Sequence, residues 1–244
     1  MGTSMRLLRQ RESLGAQQDY ESAMTLLADV HRTGPVLRLY QPVPTVAFGR
    51  RDELRPGFAA AARAARESGF EPLVRRVGGR AAAYHGGCLV VDHLEPTEDP
   101  TSGIQDRYRL FGDMVVAALE ELEVEADVGE IPGEYCAGEH SVHGTHPSGT
   151  PAAGRRVKLA GTAQRVVAGA WYFSTVVVVE QSEPIRSVLT DVYAALDLDW
   201  DPATAGAVDD LRPGTTVADV ERGIRKVYGM YAHHLGYGPL TEPD

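Results

Sequence analysis

The stretch VKLAGTAQRVVAGAWYFSTVVVV, residues 157–179, decides the fold. Its two halves, 157–167 and 171–179, are dense in β-branched and aromatic residues, and they meet at Ala168, Gly169 and Ala170, the composition of a hairpin with glycine at the turn. Working outward, VLRLY (36–40) and TVAFG (45–49), split by QPVP, read as two strands joined by a tight connection. PLVRRV (72–77) reads as another strand with CLVVDHL (88–94) as its partner, and VEADVG (124–129) as a further strand. Helices come between. Tyr20, Ala23, Met24, Leu27 and Val30 recur at three and four residues, the period of an amphipathic helix, and Ile104, Tyr108, Phe111, Val115, Leu119 and Leu122 mark a longer one. Pro56 opens and Gly69 closes an alanine-rich helix, and two more run over about 184–196 and 216–235. Hairpins with helices before, between and after them predict an α+β fold with a mixed, largely antiparallel sheet flanked by helices. One domain over 1–244 is expected, with 200–244 a helical C-terminal extension.

Composition narrows the function. The 244 residues are 43% hydrophobic and 24% charged, as in an ordinary globular chain. A net charge of −10 argues against nucleic acid or an anionic membrane surface as partner. With no apolar run of membrane-span length and no apolar stretch behind the arginines of MGTSMRLLRQRES, the expectation is a soluble, cytoplasmic protein. Two cysteines, Cys88 and Cys136, exclude a disulfide scaffold and are read as thiols. Of the 24 basic residues 22 are arginine, so the two lysines, Lys158 and Lys226, stand out. A lysine kept where arginine is the rule points to a need for a compact ammonium.

Three segments carry candidate chemistry. In RRVGGRAAAYHGG (75–87), Arg75 and Arg76 precede Gly78 and Gly79, and Tyr84 and His85 precede two more glycines, a loop whose backbone N–H groups and guanidinium forks suit a phosphate or carboxylate. In VKLAGTAQ (157–164), Lys158 and Ala160 alternate with Val157 and Leu159, and Gly161, Thr162 and Ala163 leave room for a ligand. An ammonium inside an apolar strand requires an anion or the sheet edge. The third segment, 132–156, is rich in glycine and proline without an apolar period and reads as one long irregular loop, mobile until it closes on a ligand. It contains Cys136, with Lys158 or His140 as candidate activators. Cys136, His140, His143 and His146 have the residue types of a zinc set, but solvated loop histidines are the commoner outcome and no metal is assigned. Cys88, inside an apolar strand, is assigned to the core.

The order of these segments resembles the lipoate-protein ligase A family, whose relatives include octanoyl transferases and biotin ligases. The family's RRxTGGGAVYH falls on residues 75–85, matching at Arg75, Arg76, Gly79, Tyr84 and His85 and departing at Gly78, Arg80 and Ala81. Its K-[IV]-x-G-[ST]-A-Q is followed closely by Lys158, Gly161, Thr162, Ala163 and Gln164. The resemblance spans about residues 20–200 and implies a biotin/lipoate ligase type of catalytic domain with a lipoyl or octanoyl chain in a tunnel over the sheet. It further implies that Lys158 holds carboxyl and phosphate oxygens, with Arg75, Arg76, Gly78, Gly79, Tyr84, His85, Gly161, Thr162, Ala163 and Gln164 around the substrate. The first expectation is a ligase using ATP and Mg²⁺ to make acyl-AMP from lipoic or octanoic acid. The acyl group then passes to a lysine on the lipoyl carrier domain of a 2-oxoacid dehydrogenase or a glycine cleavage protein. The second is an ATP-independent transferase, drawing also on an acyl carrier protein, through a thioester on Cys136. The third is a non-catalytic binding protein, favoured by Arg80 and Ala81, whose Cβ atoms are expected to block backbone approach to an adenylate.

Overall fold

The computed structural model describes residues 4–234 and 236–242. In chain order the elements are β1 (Ser4–Gln10), α1 (Ala16–Thr33), β2 (Val36–Tyr40), β3 (Thr45–Phe48), α2 (Arg50–Glu53), α3 (Phe58–Glu67), β4 (Glu71–Val74), β5 (Ala82–Tyr84) and β6 (Cys88–Pro96). They continue with α4 (Ile104–Glu120), β7 (Ala126–Val128), β8 (Val142–Thr145), β9 (Arg156–Val167), β10 (Ala170–Val178), α5 (Ser182–Ala195), α6 (Val208–Leu211), α7 (Val217–His234) and β11 (Gly238–Thr241).

The expected hairpin is the centre of the molecule. β10 pairs with β9 on one side and, from Ala170 opposite Pro96 to Val178 opposite Cys88, with all of β6 on the other. Eight strands in the order β11-β1-β2-β6-β10-β9-β8-β7 make the main sheet, parallel only among β11, β1 and β2. A second sheet, β4-β3-β5, lies apart from it. The α+β class with a mixed, largely antiparallel sheet is therefore as expected.

Several local expectations are corrected. β2 and β3 are not a hairpin, because after the prolines of QPVP the chain leaves the main sheet and β3 joins the small one. PLVRRV is strand only to Val74, and its partner is β3, in parallel, not β6. The glycine-rich loop contains a short strand, β5, and the segment 132–156 contains β8. The polar start holds β1, and the C-terminal extension is not purely helical, since β11 returns to pair with β1 at the sheet edge.

Alternation along the strands splits the core. Leu89 and Val91 of β6 and Trp171, Phe173 and Val177 of β10 pack with α4 and α7 through Phe111, Val115, Leu119, Ile224 and Tyr228. On the other face Leu94 and Tyr172 meet Ala23, Leu27 and Val30 of α1. Beyond α1, the small sheet packs with α3 and α5 through Phe48, Ala61, Ala65, Val188 and Val192. Inside that face Arg38 and Asp92, 2% and 0% exposed, are 3.2 Å apart, and Asp92 also accepts from Tyr172 and Ser174. No helix among the described residues is long and apolar enough to cross a membrane.

Candidate active site

Between the small sheet and the main one lies a cavity of about 310 Å³, walled by β5, by β9 and β10 at Gly161, Thr162, Ala163 and Val176, and by residues 135–141. Tyr108 and Gln105 of α4 complete the rim.

A β-bulge places the lysine. Val142 pairs with Ala160 but His143 pairs with Lys158, so Leu159 has no partner of its own on β8. Past an extra residue the inward and outward faces of a strand exchange. Val157, Leu159 and Ala160 all enter the hydrophobic core, while Lys158 and Gly161 both line the cavity. Strict alternation had grouped Lys158 with Ala160.

Lys158 is 1% exposed. Its Nζ donates to the carbonyl oxygens of Tyr135 at 3.0 Å and Cys136 at 3.1 Å and lies 3.4 Å from Glu134 Oε2. Glu134, itself buried, accepts through Oε1 from the Gly138 N–H and the Ser141 hydroxyl. The ammonium also sits 4.8 Å from the centre of the Tyr135 ring. The buried charge is thus compensated, as burial demands. Its three protons face the cysteine loop, and its role in this structure is to hold that loop.

Cys136 shows what the holding achieves. It adopts φ of +45°, a conformation that non-glycine residues reach only when their surroundings enforce it. Its N–H donates to the Tyr193 hydroxyl at 2.7 Å, and that hydroxyl donates to the Ala81 carbonyl at 3.0 Å. Burial pushes the Tyr193 phenol above its ordinary range, so it serves as a neutral relay. The Cys136 Sγ accepts from the Arg80 N–H at 3.2 Å and has Arg75 Nη2 at 3.9 Å. A thiolate there would meet one dipole and one full positive charge. Cys88 has neither. It is fully buried in the small-sheet core, and burial pushes its thiol up to about 12.

The glycine loop closes against this sulfur. Gly79 has φ of +102°, and a Cβ there would stand 2.8 Å from Cys136 Sγ and 2.9 Å from Arg75 Nη2. Arg80 and Ala81 do not obstruct the cavity. The Arg80 guanidinium turns outward to the buried Asp52, 3.1 Å away, and Ala81 packs into the small-sheet core. What occupies the loop N–H is the thiol.

Of the residues singled out in the sequence, Arg75, Gly78, Gly79, Tyr84, Cys136, Lys158, Gly161, Thr162 and Ala163 line one cavity. Three expected there are elsewhere. Arg76 is exposed, its backbone N–H donating to the Tyr20 hydroxyl. His85 accepts from the Gly87 N–H through Nδ1 and donates through Nε2 to the Gln181 carbonyl at 2.9 Å, which makes it a neutral strut of its turn. Gln164 bridges to α4, donating to the Ile104 carbonyl and accepting from Arg107. His140 does not reach the thiol in a hydrogen bond but stacks on Tyr108 at 4.7 Å. Among the described residues no group of three His, Cys, Asp or Glu is placed to hold a metal ion. The sequence reading missed Glu134 and Tyr193. A lone lysine in an apolar strand demands a buried acid nearby, so the glutamates flanking Cys136 were the available signal.

Residues 16–198 match the family described as the Lipoyl protein ligase A/B catalytic domain. An octanoyl-GcvH:protein N-octanoyltransferase of Exiguobacterium sp. is 28% identical over 181 residues, 73% of this chain and 60% of the relative. The chain thus matches three-fifths of that relative's length. Lipoate-protein ligase A bound with ATP superposes over 100% of this chain and 90% of its own, with a TM-score of 0.71 and 18% identity. A bi-partite lipoate protein ligase from Thermoplasma acidophilum covers 99% of this chain and 88% of its own, with a TM-score of 0.65 and 17% identity. The two structures share the fold, and the family match takes in both the glycine loop and the bulged Lys158 strand that build the cavity. This chain belongs to the lipoyl protein ligase A/B catalytic-domain family.

Proposed function

We infer that the chain transfers an octanoyl or lipoyl group between protein-borne lysines through a thioester on Cys136. The observation that carries this reading is the 3.2 Å hydrogen bond from the Arg80 N–H to Cys136 Sγ. A backbone donor of the glycine loop is directed at the sulfur, in the conformation that Lys158 and Tyr193 enforce. The curated relative named for transfer from octanoyl-GcvH supports it. Mg²⁺–ATP fits this arrangement poorly. The Arg80 N–H is already engaged, and Glu134, the buried acid beside the cavity, is taken up by Lys158, Ser141 and Gly138. No step is therefore routed through a nucleotide.

In the first step the Cys136 sulfur attacks the acyl carbonyl of the donor's amide. The C–S bond forms, the C–N bond breaks, and the thiol proton ends on the departing lysine amine. In the second, the neutral amine of the acceptor lysine attacks the thioester carbon; the C–N bond forms, the sulfur leaves, and the amine's proton returns to the thiolate or to water. Arg75 lies beside the sulfur and supplies positive charge where the tetrahedral intermediates carry their oxyanion. The acceptor is a lipoyl carrier domain, of a 2-oxoacid dehydrogenase or of the glycine cleavage type.

Intact mass spectrometry of the protein mixed with octanoylated carrier and an apo lipoyl domain tests this. One octanoyl group on Cys136, with turnover lost in Cys136→Ser, is the expected result. Octanoyl-AMP formed from octanoate and ATP, with Cys136→Ser still active, would establish the ligase reading instead.

A further inference from the structure

Beside the cavity runs an open groove of about 910 Å³ whose wall includes Arg75 and Gly78, the same residues that line the cavity. It is formed by α2, the end of β4 and the outer part of β9, and it carries Arg50, Arg75, Arg76 and Arg165. Its acidic lining residue is Glu53, which already pairs with Arg50. Among the described residues Arg75, Arg76 and Arg165 have no carboxylate within salt-bridge distance, as is also true of Arg11, Arg66, Arg155 and Arg156 elsewhere; what sets this groove apart is that its arginines stand together on a wall shared with the cavity. The Arg165 side chain ties β9 to the segment after β4, its Nη1 donating to the Arg76 carbonyl oxygen at 3.0 Å.

We propose that this groove docks an acidic face of the carrier protein whose lysine enters the cavity. The inference rests on the transfer reading above and adds the surface on which the carrier sits. A lysine delivered to Cys136 arrives on a folded domain, and the body of that domain must rest against the surface that continues the cavity. In a chain of net charge −10 an acidic partner is repelled by the molecule as a whole. An arginine groove at the entrance then sets both where such a partner lands and how it is turned. Arg75 and Arg165 each spend one N–H on a backbone carbonyl, of Arg80 and Arg76, and their remaining N–H donors, with the guanidinium of Arg76, are open to pairing with carboxylates.

The test uses the full chain with Arg50 and Arg165 both replaced by glutamate, positions that do not touch the sulfur. With an acidic apo lipoyl domain as acceptor, the double variant is expected to raise KM at least about tenfold at low ionic strength, with kcat within about twofold. Rising salt should weaken wild-type transfer and leave the variant nearly unchanged. Octanoylation of Cys136 from a small-molecule octanoyl thioester should be equal in both proteins. Calorimetric affinity for the lipoyl domain tests the groove even if no thioester ever forms, a result that would sink the transfer reading alone. An unchanged affinity and KM in the double variant would overturn the proposal. So would loss of ATP binding with carrier affinity intact, which would make the groove a nucleotide site.

Discussion

Lys158 is a lysine because three acceptors converge on one nitrogen: two consecutive backbone carbonyls and the Glu134 carboxylate. A planar guanidinium cannot place one atom at that meeting point, and the site is fully enclosed. Lys158→Arg is therefore expected to cost about 1–3 kcal/mol of stability through overpacking, seen as a lower urea midpoint. The displaced Cys136 should slow transfer by about a hundredfold, the scale of an ångström's misplacement of a reacting group. Unchanged folding in that variant would mean that the carbonyl cage does not hold.

At the scale of elements, the cavity is a contact between two loops, and each is fixed by the other. Gly79→Ala brings a Cβ against the Cys136 sulfur at a positive φ that alanine disfavours. Iodoacetamide labelling and thioester formation at Cys136 should both slow at least about tenfold, with a loss of about 1–3 kcal/mol from strain and overpacking. The segment 132–156, expected from composition to be mobile throughout, divides in two. Glu134 ties Gly138 and Ser141 down, and β8 pairs with β9. Residues 146–155 instead make turns, with bonds such as Gly154 N–H to the His146 carbonyl. Hydrogen exchange without ligand should show protection over 134–145 and fast exchange over 147–153. Uniformly fast exchange would restore the expectation of a wholly mobile loop.

For the whole molecule, stability and site share one sheet. Arg38 on β2 and Asp92 on β6 make a buried pair joined by Tyr172 and Ser174 of β10, so three adjacent strands depend on it. Asp92→Ala leaves the guanidinium only Asp19 and Gln10 and the two hydroxyls without their acceptor, and is expected to cost about 1.5–3 kcal/mol, measured by thermal or denaturant unfolding. A loss below about 1 kcal/mol would mean that Asp19, 3.4 Å from Arg38, suffices by itself.

What the amino-acid order determined by itself was local. The hairpin 157–179, the helices α1, α4 and α7, the class of fold, and the grouping of Lys158, Cys136, Arg75 and Gly79 as chemistry-bearing residues were all legible. Hydrophobic period, turn glycines and a family pattern are properties of neighbouring residues. What only the tertiary structure decided was pairing and facing. The terminal strands β1 and β11 were missed because β11 is a four-residue edge strand and because both gain their ladder from partners outside their own segment, each other and β2. The strand β3 joined the small sheet for the same nonlocal reason. His85, Gln164 and Arg76 kept their motif positions but found hydrogen bonds outside the cavity. One extra residue at Leu159 turned Lys158 and Gly161 to the same side, where a buried ammonium could exist only because Glu134 and two loop carbonyls had been folded onto it.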